Sequence, residues 1–211
     1  MTDAWSPSYR LYPIIDTDVC AARGVSPLDV AAACLAGGAR LLQLRAKHLA
    51  GRDVLSLADR LVALAAPDGG RIIVNDRPDI ARASRAAGVH VGQNDLPPAE
   101  ARAVLGTGLL GLSTHDEPQV DGVPLPLVDY IAVGPVYGTS TKETGYTPRG
   151  LPLVRYAVRI GTPVVAIGGI TLERTPEVLA AGASAVAVIS DLFATGDVAA
   201  RVRGYLAATR G

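Results

Sequence analysis

The sequence predicts a (β/α)₈ barrel that forms a single domain. Eight short apolar runs recur along the chain, and each is too short and too rich in β-branched residues to be a helix. Segments rich in alanine and leucine follow most of these runs. Strands that alternate with helices are typical of a parallel sheet, and eight such units match a closed barrel.

The predicted strands are residues 11–15, 41–44, 71–74, 89–92, 110–112, 130–133, 163–167 and 185–189. The predicted helices are residues 27–36, 52–65, 78–86, 97–105, 151–159, 173–180 and 198–206. Several of these helices begin with proline, which suits a first helical turn, and glycine follows several others, as is common where a helix ends. Residues 117–128 contain three prolines and predict only a short or degenerate fifth helix.

A doubly wound sheet is the alternative, because it also alternates strands with helices. However, the first run leads into an irregular stretch without the G-x-G-x-x-G pattern, and the chain has no G-x-x-x-x-G-K pattern. We therefore favour the barrel. In such barrels the working site lies at the carboxyl ends of the strands.

Composition gives no sign of a nucleic-acid or membrane partner. The 211 residues include 20 basic and 20 acidic side chains, and 49% of the residues are hydrophobic. No apolar run approaches the roughly 18 residues of a membrane span. Cys20 and Cys34 lack metal or redox spacing and predict inert thiols in a cytoplasmic protein. Residues 1–10 lack a secretory signal and are expected to form a flexible tail, which leaves residues 11–211 for the barrel.

The second strand carries one polar face. Gln43, Arg45 and Lys47 are spaced by two and point to one side, whereas the residues between them are apolar. If the apolar side packs on helices, Gln43 and Arg45 face the interior, where a bound anion would relieve the cost of an unpaired charge. A solvent-exposed edge is the alternative, but it does not suit a central barrel strand.

Two carboxylates follow neighbouring strands and should reach the same rim. Asp76 follows Asn75 at the end of the third strand, and Asp95 follows the fourth. Mg²⁺ commonly binds one or two protein carboxylates and fills its other positions with water and phosphate oxygens. The pair therefore predicts a magnesium site, although either aspartate alone could instead cap the helix that follows it.

Two further loops suit phosphate. Residues 134–145 combine hydroxyl groups and glycines with one lysine, Lys142, as in a mobile lid over phosphate; a solvent loop is the alternative. Gly168 and Gly169 follow the seventh strand and Ser190 the eighth, where barrels often bind phosphate through backbone amides.

The sequence offers no convincing nucleophile. Ser113 and His115 follow the fifth strand, but no G-x-S-x-G pattern surrounds the serine and no orienting acid is identifiable. His90 is interpreted as a packed, hydrogen-bonded residue, and His48 as an exposed loop residue. Two anion-binding regions without a nucleophile indicate chemistry driven by a departing diphosphate, whose charge the protein stabilises.

Six motifs in matching order resemble those of the thiamine phosphate synthase family. They are QLRAK at 43–47, NDR at 75–77, GVHVGQNDLP at 88–97, GLSTH at 111–115, GPVYGTSTK at 134–142, and IGGI at 167–170 followed by VIS at 188–190. The resemblance extends from Leu11 to about Leu206 and implies a (β/α)₈ barrel.

The resemblance implies a transferase of thiamine biosynthesis. Such an enzyme joins 4-amino-2-methyl-5-(diphosphooxymethyl)pyrimidine to 4-methyl-5-(2-phosphooxyethyl)thiazole, or to its carboxylated precursor, and releases thiamine phosphate and diphosphate. In the mechanism that the family implies, diphosphate leaves first with the help of Mg²⁺, and the thiazole nitrogen captures the pyrimidine carbocation. The implied partners are these small molecules rather than nucleic acid or a membrane, and a homo-oligomer is compatible with them.

The resemblance also implies residue roles. The pyrimidine diphosphate would contact Gln43, Arg45, Lys47, Asn75, Ser113 and Lys142, of which Arg45, Lys47, Ser113 and Lys142 are the expected catalytic residues. Mg²⁺ would bind Asp76 and Asp95. The thiazole phosphate would contact Thr139, Thr141, Gly169, Ile189 and Ser190. Ala46 and Gly138 depart from the family pattern; Ala46 points away from the site, whereas Gly138 could loosen the lid.

Two alternatives remain open. A related thiazole tautomerase would use the histidine of the fifth-strand motif, His115, but it has no diphosphate for Arg45 and Lys47 to hold. A regulatory barrel that binds thiamine intermediates would show binding without turnover.

Overall fold

All eight predicted strands form and join one closed parallel barrel in the computed structural model, which describes residues 5–138 and 145–209. The strands are β1 (Leu11–Asp16), β2 (Leu41–Arg45), β3 (Arg71–Asn75), β4 (Gly88–Val91), β5 (Leu109–Thr114), β6 (Tyr130–Val133), β7 (Val164–Ile167) and β8 (Ala185–Val188). Each strand pairs with its neighbours in the chain, and β8 returns to pair with β1 through Leu11 and Val186. The predicted fold class is confirmed.

Helices connect the strands close to the predicted positions. They are α1 (Thr17–Ala22), α2 (Pro27–Ala36), α3 (Gly51–Ala65), α4 (Pro78–Ala83), α5 (Pro98–Leu105), α6 (Glu117–Asp121), α7 (Gly150–Val158), α8 (Thr175–Ala180) and α9 (Val198–Ala208). The short helix expected in residues 117–128 is α6. Helix α1 was not predicted from the sequence; it has only six residues and begins where Asp16 accepts hydrogen bonds from the backbone of Asp18 and Val19.

Alternation along the strands divides the apolar residues into two layers. In β2, Leu42 and Leu44 belong to the large cluster that includes the buried helix residues, whereas Leu41 belongs to a second cluster in the barrel interior. Gln43 lies on the interior side with Leu41 and is 3% exposed. The polar face of β2 therefore points inwards, as the spacing predicts.

Aromatic rings fill the barrel interior near the start of β1. The ring centroid of Trp5 lies 5.6 Å from that of Tyr9 and 4.9 Å from that of Tyr130. Residues 1–10 are expected from the sequence to form a flexible tail, but Trp5 and Tyr9 pack against the barrel. They do so because burial of large aromatic surfaces is favourable.

The two thiols are free and buried. Burial raises the pKa of Cys20 to about 11 and that of Cys34 to about 12, so both stay protonated near neutral pH. Both side chains pack in the outer apolar cluster, which fits the expected inert thiols. Within residues 5–138 and 145–209, none of the helices has the length and apolar character needed to cross a bilayer.

Substitution of Gly88 tests how closely β4 pairs with β5. A Cβ atom at Gly88 would lie 2.0 Å from the carbonyl oxygen of Leu109, its partner in the neighbouring strand. We expect Gly88→Ala to lower the free energy of unfolding by about 3 kcal/mol, measured by urea denaturation. Gly24→Ala is the control, because Gly24 has a positive φ but no neighbour within 4 Å, and it should cost about 1 kcal/mol. Equal losses in the two variants would contradict this packing.

Candidate active site

A pocket of about 1060 Å³, which includes open solvent at its mouth, lies at the carboxyl ends of the strands. All eight strands, or the loops that follow them, contribute to its wall. The sequence-predicted site residues that line it are Gln43, Arg45, Lys47, Asn75, Asp76, Asp95, Ser113, Gly169, Ile189 and Ser190. The predicted Thr139, Thr141 and Lys142 lie outside the described residues.

Arg45 has a partner that the sequence analysis misses. Its Nη1 atom donates to Asp16 Oδ2 at 2.5 Å, because the register of β1 and β2 places these two residues side by side. Asp16 is 3% exposed and also caps α1. The charge of Arg45 is therefore not unpaired, contrary to the expectation. Its Nε atom is buried and has no partner among the described residues, so the guanidinium keeps unused hydrogen-bonding capacity.

Two carboxylates face each other beside a lysine at the rim of β3 and β4. The Nζ atom of Lys47 lies 2.5 Å from Asp76 Oδ2, and the carboxyl group of Asp95 lies close enough to hydrogen-bond with Asp76. Burial raises the pKa of Asp76, Asp95 raises it further, and Lys47 partly offsets both effects. Because two carboxylates at this separation repel each other, the pair favours a bound cation.

The backbone around these aspartates rules out the capping alternative. Asp76 has a positive φ of 64°, which aspartate tolerates better than most residues, and its N–H donates to the His90 carbonyl oxygen at 2.7 Å. Neither α4 nor α5 has a side-chain hydrogen bond at its N-cap. Asp95 Oδ2 instead accepts from the backbone N–H of Gly92 at 2.7 Å. Both carboxylates therefore belong to the pocket.

This donor set fits magnesium better than a metal enclosed entirely by protein. Among the described residues, no group of three or more histidine, cysteine, aspartate or glutamate side chains is arranged to hold a metal ion. Mg²⁺ needs only one or two carboxylates when water and phosphate oxygens complete its octahedron.

Glycine is required where β7 meets the loop after β6. Gly168 and Gly169 have positive φ angles of 100° and 61°. A Cβ atom on Gly168 would lie 2.6 Å from Pro135 Cα, and one on Gly169 would lie 2.4 Å from the Gly138 carbonyl oxygen. The two glycines therefore allow the loop after β6 to pack closely against the end of β7, and both line the pocket.

Asp191 is a pocket residue that was not predicted from the sequence. It lies in the 3₁₀ helix Ser190–Phe193, which follows β8 and begins at the pocket wall. Its Oδ2 atom accepts from Arg201 Nη2 at 2.7 Å and from the Tyr205 hydroxyl at 2.5 Å. These contacts from α9 fix the backbone that follows β8.

A buried chain of hydrogen bonds joins Gln43 to Ser113 beneath the pocket. The chain passes through the hydroxyl groups of Tyr12 and Tyr130 and through the ring of His90. His90 is 6% exposed, which confirms its interpretation as a packed, hydrogen-bonded residue. Neither tyrosine stands out in the sequence, because the residues next to each of them in its strand are apolar.

His115, the histidine that follows the fifth strand, is not positioned to act as a catalytic base for Ser113. His115 Nδ1 lies 2.6 Å from the Gly134 carbonyl oxygen, and its ring stacks on Tyr146 with centroids 4.0 Å apart. Ser113 Oγ instead contacts His90, whose other nitrogen faces a phenol. His48 is exposed and contacts Asp18, as expected for a loop residue.

Comparisons with known proteins agree with one another. Residues 11–192 match the family model described as thiamine monophosphate synthase. The thiamine-phosphate synthase of Chloroflexus aurantiacus is 40% identical over 205 residues, covering 96% of this chain and 94% of that protein. The thiamine-phosphate synthase of Mycobacterium marinum is 44% identical over 214 residues, covering 94% of this chain and 96% of that protein. The structure of thiamine phosphate pyrophosphorylase from Pyrococcus furiosus has a TM-score of 0.88 at 27% identity and covers 97% of this chain and 96% of its own. The chain therefore belongs to the thiamine monophosphate synthase family.

Proposed function

We propose that the protein is a thiamine-phosphate synthase, a transferase that joins an aminopyrimidine diphosphate to a thiazole phosphate. The observation that carries the proposal is the facing pair Asp76 and Asp95, next to Lys47 and in one pocket with Arg45. A pocket with paired carboxylates and two cations suits a diphosphate that brings its own divalent cation. Family membership supports the same conclusion.

Arg45, Lys47 and Asn75 hold the diphosphate in this proposal. The hydrogen-bonding capacity of Arg45 beyond its contact with Asp16 supports the assignment, because guanidinium groups bind phosphate oxygens well. Lys47 is partly exposed at the rim and contacts Asp76, so it can neutralise charge next to the cation. Lys142 is assigned to the same group, but it lies outside the described residues and its role stays a prediction.

Asp76 and Asp95 would hold Mg²⁺, which supplies charge neutralisation for the departing diphosphate. Because Lys47 contacts Asp76, it lowers the pKa of that carboxyl group and partly offsets the rise that burial and Asp95 cause. The proposed reaction needs no nucleophile from the protein if the leaving group departs before the thiazole nitrogen attacks. The enzyme's task is therefore to stabilise charge and align two substrates.

The thiazole phosphate binds on the opposite side of the mouth in this proposal. Gly169, Ile189 and Ser190 line the pocket there, and the glycine allows close approach to the backbone. The contacts of Asp191 with Arg201 and Tyr205 keep the 3₁₀ helix in place beside the phosphate. Thr139 and Thr141 remain predicted contacts outside the described residues.

The test is the reaction itself. The protein is incubated with the aminopyrimidine diphosphate and the thiazole phosphate, with Mg²⁺ or with a chelator, and the products are separated by chromatography. We expect thiamine phosphate only with Mg²⁺. Folded protein that binds substrates without product would point to a regulatory barrel. Isomerisation of a thiazole phosphate that is lost in His115→Asn would point to the tautomerase.

A further inference from the structure

We propose that the buried chain from Gln43 to Ser113 runs in a single direction and so fixes which end accepts and which end donates a hydrogen bond to the pyrimidine. This inference rests on the proposed function for the identity of the substrate. It makes Tyr12, Tyr130 and His90 positioning residues that act through the two residues at the ends of the chain.

The chain has four hydrogen bonds that cross the barrel interior. Gln43 Nε2 donates to the Tyr12 hydroxyl at 3.0 Å, and that hydroxyl lies 2.9 Å from the Tyr130 hydroxyl. The Tyr130 hydroxyl lies 3.1 Å from His90 Nδ1, and His90 Nε2 lies 2.9 Å from Ser113 Oγ. Five residues on five strands are thereby connected.

The direction follows from the first bond. An amide nitrogen can only donate, so the Tyr12 oxygen accepts from Gln43. The Tyr12 hydroxyl is buried and its proton needs an acceptor, and its other hydrogen-bond partner among the described residues is the Tyr130 oxygen, which therefore receives that proton. The Tyr130 proton then goes to His90 Nδ1, which leaves the proton of a neutral imidazole on Nε2, where it is donated to Ser113. Both phenols are fully buried, and burial raises the pKa of each, so they keep the protons that this direction needs.

Gly111 makes room for the central contact. A Cβ atom at this position would lie 2.1 Å from Tyr130 Cζ and 2.5 Å from His90 Nδ1. Any side chain here would therefore separate the phenol from the imidazole. The need for glycine follows from the hydrogen-bonded chain rather than from a turn.

The two ends present opposite groups to the pocket. Gln43 Oε1 has no hydrogen-bond partner among the described residues and acts as an acceptor. Ser113 Oγ accepts from His90, so its own proton is available as a donor. An aminopyrimidine has an exocyclic amine that donates and ring nitrogens that accept. The corresponding oxopyrimidine, with a carbonyl group and a ring N–H, has the reverse pattern, and the fixed chain should reject it.

The first test needs no substrate and therefore does not depend on the proposed function. Nitrogen NMR of protein labelled with ¹⁵N-histidine distinguishes the two imidazole tautomers, and single substitutions of His48 and His115 assign the His90 signals. We expect a proton on Nε2 and none on Nδ1. A proton on Nδ1 would mean that the chain runs the other way and would overturn the inference.

The second test interrupts the chain of hydrogen bonds by substitution and measures the effect on catalysis. Tyr130→Phe should lower kcat/KM for the aminopyrimidine diphosphate by roughly 10- to 100-fold, since it removes the donor to His90. The KM for the thiazole phosphate should not change. The preference for the aminopyrimidine over the oxopyrimidine diphosphate should fall in the same variant, which a general packing defect would not cause.

Tyr9→Phe is the matched control, because Tyr9 packs in the same interior cluster but lies outside the chain. Tyr12→Phe removes the hydrogen bonds of the Tyr12 hydroxyl with Gln43 and Tyr130, and this variant is used if Tyr130→Phe does not fold. Unchanged substrate preference in a folded variant would overturn the inference. A wild-type protein that forms no thiamine phosphate would instead contradict the proposed function, and the NMR result would still decide the direction of the chain.

Discussion

Asp76→Asn is expected to lower the rate of thiamine phosphate formation by about a hundred- to a thousandfold in a protein that stays folded. The substitution removes the charge of one of the two carboxylates that face each other at the rim, and with it the ion pair with Lys47. Asparagine is the suitable replacement, because it tolerates the positive φ of this residue as well as aspartate does. The concentration of Mg²⁺ needed for half-maximal rate should rise.

Asp79→Asn is the control for this prediction. Asp79 is an exposed carboxylate three residues further along, where it contacts Arg77. Its substitution should leave both the rate and the magnesium dependence close to wild type. Steady-state rates are measured against Mg²⁺ concentration, and urea denaturation checks that the variants fold. A wild-type rate in folded Asp76→Asn would contradict the assignment of this carboxylate.

Arg45→Met should have a comparable effect on turnover through a different cause. Loss of the guanidinium removes the proposed hydrogen-bond donor to the diphosphate, and kcat/KM for the aminopyrimidine diphosphate should fall about a thousandfold. The variant should also be less stable by about 3 kcal/mol, because Asp16 is left buried without its partner. Kinetics and urea denaturation measure the two effects separately.

The double variant Arg45→Met with Asp16→Asn separates binding from folding. Asparagine keeps the cap of α1 without a buried charge, so most of the lost stability should return. Activity should not return, because the guanidinium proposed to donate hydrogen bonds to the diphosphate is still missing. Recovery of activity together with stability would mean that Arg45 acts only through the structure of the barrel.

Local sequence patterns were sufficient to predict the strands and the polar face of β2. The period-two alternation requires only neighbouring residues, and the inward orientation of Gln43 follows from it. The same reasoning placed Asp76 and Asp95 at one rim, because both follow neighbouring parallel strands. Features of this kind depend on periodicity and strand order alone.

Contacts that depend on register could not be predicted in this way. The pairing of Arg45 with Asp16 requires knowing which residues of β1 and β2 lie side by side. The same limit applies to Tyr12 and Tyr130, whose rings resemble core residues in sequence while their hydroxyl groups meet across the barrel. Helix α1 was missed because it has fewer than two turns and is stabilised by a cap rather than by an apolar stripe.

The pairing of β8 with β1 has a consequence for how the chain is synthesised. Because β8 follows all the other strands, a nascent chain cannot close the barrel until Val186 can reach Leu11. Until then β1 and β7 remain open edges, which can pair with other chains and aggregate. The segment that begins at Ser190, which is proposed to bind the thiazole phosphate, follows β8 directly. A truncated chain that lacks β8 would therefore be inactive and prone to aggregate unless chaperones bind it. Barrel closure and catalytic activity thus depend on the same final strand.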